Sequence, residues 1–362
     1  MTRYRQPASE STAADPADPR RPRTLITEQS GPSSYEGAIR VAHAIWVEHR
    51  LLIVIVTCYL AAGGGWLISR GAPWHLTWSY ALVWQMWFVA TVLWIFLEYL
   101  RSPQRVRRIL TIERIVGALL VVAVLAPFQS TFQSLKAAIP DFSWDSWLSR
   151  VDIAIHGRPP WTLWHPTDTA LGVVAGFYSA WLLMVFAFVI WVSWTRFRIL
   201  RAQALVSAAL LWIVGGTIAA WLLASAGPCY YGRVVQGPDP YAQMAGRISR
   251  MPLLVNGLQR QLWRLRENKA HAPFAGISAM PSMHVGMAVL VAVAAWRRSK
   301  VAGVVCWAYA AVIQVGSVVL AWHYAIDGYV AAVIVAVCWF AAGRLIALDS
   351  AFLPNCSRVE SD

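Results

Sequence analysis

Negative charge is scarce in this chain, as is charge of any kind. Asp and Glu number 18 against 31 Lys and Arg, a formal net charge of +13, yet charged residues fill only 14% of the 362 positions. A basic protein that grips nucleic acid needs a polar surface carrying a continuous basic stripe. A chain that is 58% hydrophobic, with 21 Trp and a mean hydropathy of +0.49, leaves too little of one, so no nucleic-acid partner is expected. Cysteine is sparse as well. Of the five, Cys58, Cys306 and Cys338 sit in apolar runs as small hydrophobes, and no two have zinc or redox spacing; no disulfide framework is implied. The chain also lacks an internal repeat of the kind that transporters show as matched halves.

Long hydrophobic runs are what the sequence has instead. Leu51 to Ser69, between Arg50 and Arg70, is 19 residues long. At ~1.5 Å per residue that crosses a hydrocarbon core of about 30 Å. Trp78 to Leu97, Ile115 to Leu135, Ala170 to Trp191 and Ala204 to Ala226 follow, separated by charged or Pro/Gly-containing segments. A shorter run from Ser282 to Trp296 ends at Arg297, Arg298 and Lys300. The apolar piece from Val301 to Leu345 is about twice what one crossing takes up, so it must fold back, most economically near Gly316 to Trp322.

The expectation is an all-α, polytopic bundle of about eight transmembrane helices. Residues 1–44, rich in Pro, Ser, Ala, Asp and Arg, read as a disordered cytoplasmic tail. Residues 45–114 hold two additional spans, residues 115–345 a six-helix core, and residues 346–362 a second tail. With the amino terminus inside, 20 of the 31 basic residues fall on the inner side, as the positive-inside rule requires. This predicts an integral protein of the plasma (inner) membrane with both termini cytoplasmic.

Two outer segments stand out. Residues 136–168 are too polar to span but rich in aromatics such as Trp144, Trp147 and Trp161, suiting pieces that lie in the headgroup region as an anchor or as a roof over a site. The loop from Gly227 to Met280 breaks the charge rule: seven basic residues against Asp239 and Glu267 give it +5.

Of eight histidines, two lie at apolar spans rather than in tails or loops. His284 closes Pro281-Ser282-Met283-His284. Proline suits a first helical turn, whose free N–H groups and positive dipole end attract an anion, and Ser282 adds a hydroxyl donor. A histidine there can give a proton to a leaving oxygen. His323 stands four residues before Asp327, which on a helix puts both on one face. The carboxylate can then fix the ring's tautomer and leave the other nitrogen as a nucleophile. In the topology above, both histidines fall at the outer ends of adjacent spans.

This constellation resembles the type 2 phosphatidic acid phosphatase superfamily. Its second motif, Pro-Ser-Gly-His, matches Pro281, Ser282 and His284, and its third, ending His-x-x-x-Asp, matches His323 and Asp327. The resemblance implies that His323 attacks phosphorus to form a phosphohistidine, Asp327 orients it, His284 protonates the leaving alkoxide, and Ser282 with nearby backbone N–H groups holds phosphate oxygens. It implies no cofactor and no metal, and a phospholipid or sphingolipid substrate reached from the membrane. The matches are incomplete. Met283 replaces the motif glycine, Gly316-Ser317 stands where a Ser-Arg pair is expected, and the first motif, Lys-x6-Arg-Pro, is absent. Arg233 is therefore expected to bind phosphate in the missing cations' place, with Arg247 and Arg250 as further candidates. This pattern looks nearer to the branch of inositol phosphorylceramide synthase and sphingomyelin synthases, which transfer phospho-headgroups, so transfer stands beside hydrolysis. The rival reading is a transporter or lipid scaffold that uses the His/Asp pair as a proton relay or a structural contact.

Overall fold

The computed structural model describes residues 34–74, 81–139, 141–268 and 276–349. It divides at Arg40 into two units. The described part of the first, residues 34–40, forms the opening turns of helix α1 (Ser34–Ser69). All else belongs to the second. There α1 continues and is followed by α2 (Ala81–Arg101), α3 (Pro103–Ile109), α4 (Ile112–Ala137) and α5 (Asp145–His156), then α6 (Asp168–Ser179) and α7 (Trp181–Trp194). Helix α8 (Arg198–Ile213) runs through a π segment, Val214–Ala219, into the short α9 (Ala220–Leu222). The outer loop folds into α10 (Tyr231–Val234), α11 (Ala242–Arg250) and α12 (Leu254–Glu267), and the chain closes with α13 (Met283–Arg298), α14 (Lys300–Val319) and α15 (Ala325–Leu348). The described structure is helical throughout, with no strand.

Among the described residues six helical stretches are long and apolar enough to cross a membrane: Gly37–Ser69, Ile112–Ala137, Asp168–Trp194, Arg198–Leu222, Lys300–Val319 and Ala325–Leu348. That is two fewer than the eight expected. Helix α13 has 16 residues, about 24 Å at the helical rise, and falls short of a full crossing. The expected span Trp78 to Leu97 lies partly outside the described residues. Helix α1 also starts at Ser34, inside the segment read as a disordered tail. Once a span has nucleated a helix, each added turn is cheap, so a polar flank can extend it.

Helix α13 lies at the centre. Nine of its sixteen residues are buried, and Gly286, Ala288, Ala292, Ala294 and Ala295 let its neighbours approach closely. Its main partners are α14, α15 and α8. The α14–α15 turn falls at residues 320–324, where the folding-back argument required one.

The two ends of this bundle differ in chemistry. At the end where α1, α8 and α15 bring their basic residues, Glu48 is buried between Arg198 and Arg201 in ion pairs. Arg201 also donates to the Thr195 carbonyl at 2.9 Å, and Arg50 pairs with Asp349. At the opposite end the start of α13, the turn before α15 and the ends of α4 and α9 converge. Trp221 Nε1 donates to Leu135 O at 3.2 Å, and Ala279 N donates to Ser225 O at 2.9 Å.

Candidate active site

Helix α13 begins as its sequence demands. Ser282 is the N-cap, with extended backbone, and its Oγ accepts the Val285 N–H at 3.4 Å. Its own N–H donates to the Asp327 carbonyl at 3.0 Å, tying this start to α15. Ser282 is fully buried, so its oxygen serves the helix end. His284, one residue into the helix, is held by aromatics: its ring stacks on Tyr178 (centroids 4.7 Å apart) and lies 4.4 Å from Trp181, whose Nε1 donates to the His284 carbonyl at 2.9 Å.

His323 comes from the turn, one residue before the Tyr324 N-cap of α15, rather than from the helix itself. Ser317 O accepts both the Trp322 and the His323 N–H at 3.0 Å, and Ala321 takes a left-handed φ of 61°. For a residue with a Cβ that conformation is costly, and it persists because Ala321 is locked: its carbonyl accepts the Cys229 N–H at 2.8 Å, and the Leu320 carbonyl before it accepts Gln259 Nε2 at 2.9 Å. The result is a short contact between imidazoles. His323 Nε2 lies 3.4 Å from His284 Nδ1, with ring centroids 5.6 Å apart.

The Nδ1 hydrogen of His323 has two acceptors. The nearer is the backbone carbonyl of Ala279, at 2.8 Å; Asp327 Oδ2 is at 3.4 Å. Asp327, fully buried, also accepts the Tyr324 N–H at 3.0 Å, so it caps the helix as well as facing the ring. Either acceptor sets the same tautomer, with the proton on Nδ1 and a bare lone pair on Nε2.

Two carboxylates that the sequence reading passed over brace this arrangement. Asp145 of α5 accepts the Ala226 and Gly227 N–H groups and the Tyr324 hydroxyl, each at 2.8 Å. Asp152, two turns along the same face, accepts the Ala325 and Ile326 N–H groups at 2.9 and 3.0 Å, placing a negative charge at the start of α15. Burial pushes both carboxyls above the usual Asp value, although their backbone hydrogen bonds oppose the shift. The buried stripe of α5 is Asp145, Leu148, Ser149 and Asp152. Its helical spacing is regular, but three of the four residues are polar, so a hydrophobicity pattern reads it as a solvated face. The segment judged an anchor or a roof is thus also a strut.

The two histidines open on a cavity of about 540 Å³ between α4, α7, α8 and α12, whose walls are mainly apolar: Phe128, Phe132, Trp181, Val185, Trp212 and Leu258 among them. The arginines expected beside them are elsewhere. Arg233 is exposed, stacked on Trp263 (5.0 Å) and 3.7 Å from Glu267. Arg247 binds Asp168 and the Pro166 carbonyl, and Arg250 is exposed. None of the three lines the cavity. The charges of Arg233 and Arg247 find partners inside the outer loop and its neighbours, a pairing no linear motif discloses. Lys136, one residue past the apolar run that ends at Leu135, does line the cavity. Among the described residues no group of three His, Cys, Asp or Glu could hold a metal ion.

Apolar helices gathered around two opposed imidazoles at one end define a helical membrane protein with a histidine-paired polar site. Residues 146–342, more than half of the chain, match the family model of the PAP2 superfamily, and the chain belongs to that superfamily. The match runs from α5 into α15 and includes both histidines; helices α1 to α4 lie outside it. Comparison with curated proteins and with solved structures gives no match.

Proposed function

We propose that this protein is an integral membrane lipid-phosphate phosphatase or phospho-headgroup transferase that works through a phosphohistidine on His323. The observation that carries the reading is the fixed tautomer of His323 at the mouth of an apolar cavity: Nδ1 is held by Ala279 O, and Nε2 is directed at His284. In the proposed reaction the two rings part to admit the phosphate. The Nε2 lone pair attacks phosphorus, the bond from phosphorus to the leaving oxygen breaks, and protonated His284 gives that oxygen its proton. Neutral His284 then takes a proton from water or a lipid alcohol, whose oxygen displaces His323 from phosphorus. Asp327 supports the imidazolium character that develops on His323, and the start of α13 offers its dipole to the phosphate.

Charge supports the outer face: the site lies at the end opposite the Glu48–Arg201 cluster, on the side poorer in basic residues. Headgroup transfer, as in the inositol phosphorylceramide and sphingomyelin synthases, is supported by the mainly apolar cavity of about 540 Å³ beside the histidines.

Incubating the full chain in detergent with labelled lipid donors and following phosphate release and headgroup exchange by mass spectrometry tests this reading. His323→Ala is expected to abolish turnover and Asp327→Asn to lower it strongly. His284→Ala should slow poor leaving groups most. Undiminished activity in His323→Ala, or solute uptake into proteoliposomes without phosphate chemistry, would overturn the proposal.

A further inference from the structure

We infer that Lys136 is the cation that receives the substrate's phosphate, doing from α4 what the motif cations would have done; the inference rests on the phosphoryl-transfer reading above. The face of α4 that lines the cavity carries Leu125, Phe128, Gln129, Phe132, Gln133 and Lys136. That is one helical stripe of spacing three and four, with Leu125, Phe128 and Phe132 apolar, Gln129 and Gln133 polar, and a cation at its end. Lys136 therefore lines the same cavity into which His284 and His323 open.

The ordinary role of a lysine in a last helical turn is to bind the free carbonyls there. Lys136 does not. The Leu135 carbonyl is taken by Trp221 Nε1 and the Ala138 N–H, and the Lys136 carbonyl by the Ile139 N–H. The Lys136 ammonium makes no hydrogen bond or ion pair with any described residue. Its stem is packed against the loop that leads into Pro281: a Cβ built on Gly276 would stand 2.9 Å from Lys136 Cγ. A half-buried ammonium without an anion is costly, and a phosphate between it and the histidines supplies one.

The acids and arginines of the outer loop reinforce the assignment. Arg233 and Arg247 are held by Glu267 and Asp168, Arg260 by Asn256, and Arg266 by Asp141 and the Ile139 carbonyl. Among the described residues Lys136 is the basic side chain that lines the cavity. It also lies outside the family-matched segment, ten residues before its start, so a family motif cannot reveal it.

Orthovanadate, a phosphate mimic, is the probe. Its binding to the purified full chain in detergent is measured by calorimetry for the wild type, Lys136→Met, Lys136→Gln and Lys136→Arg, with lipid turnover followed in parallel. Loss of one charged contact should weaken vanadate roughly tenfold or more in Lys136→Met and Lys136→Gln. Lys136→Arg should retain most of the affinity. The two neutral variants guard against misfolding of either one, since Gln keeps a polar, unbranched side chain. Wild-type vanadate affinity in either folded neutral variant would overturn the role of Lys136 while leaving phosphoryl transfer standing. A wild type that neither binds vanadate nor turns over any lipid phosphate would overturn both.

Discussion

At the level of single side chains, the polar groups of the site double as scaffold. Asp327 caps α15 while facing His323, and Ser282 caps α13. Asp145 does not line the cavity: its oxygens are used by the Ala226 and Gly227 N–H groups and the Tyr324 hydroxyl. Its raised pKa has a consequence for stability. In the window between the unfolded Asp value and the raised folded one, the folded state binds the extra proton, so stability falls as pH rises through that window. Asp145→Asn removes the titration along with some hydrogen bonding. Its melting temperature relative to wild type is expected to climb as pH is raised across the weakly acidic range, measured by thermal unfolding in detergent at constant ionic strength. A difference that stays flat would show that Asp145 does not titrate differently on folding.

Among the elements, the site depends on two connections that pass very close to each other. The Gly227 backbone has φ 96° and ψ 167°, a region reserved for glycine, and a Cβ there would lie 2.5 Å from the Trp322 carbonyl oxygen. Gly227→Ala should cost about 1–3 kcal/mol from backbone strain alone. It should also push the α14–α15 turn away, displacing His323 from His284 and lowering activity more than stability. Denaturation and turnover measured on the same preparation separate the two effects. Helix α5 acts on the same turn from the other side through Asp152, which explains why a segment too polar to span nonetheless shapes the site.

For the whole molecule, the two ends of the bundle carry opposite tasks. At one, Glu48 is shared by Arg198 and Arg201, with Glu48 and Arg201 both buried. Removing the shared acid leaves a buried guanidinium without its counter-charge, so Glu48→Gln should destabilise the fold by about 3–5 kcal/mol. The unfolding midpoint reports it, and because the cluster lies at the far end from His323, the surviving folded fraction should keep wild-type KM. The charge asymmetry also predicts sidedness. In a background with the five native cysteines replaced, Arg250→Cys should react with an impermeant maleimide added outside intact cells, and Arg196→Cys only after the membrane is opened. The reverse pattern would place the histidines on the inner side.

Much of this was legible in the amino-acid sequence, because hydrophobic run length and charge bias act locally along the chain. They marked the apolar helices and the fold-back between α14 and α15, and motif spacing singled out His284, His323 and Asp327. Tertiary structure decided the rest. Which carbonyl holds His323 Nδ1, that Asp145 and Asp152 are braces, that Arg233 and Arg247 turn to Glu267 and Asp168, and that Lys136 lines the same cavity as the histidines are all matters of contact between residues far apart in sequence. The physical reason is that a charge is placed by the partner it finds in three dimensions. The +5 loop looked like the phosphate clamp because its acids and its arginines cannot be paired on paper. Once folded, Arg233, Arg247 and Arg266 pair with acids away from the cavity, and a lysine from another helix lines it.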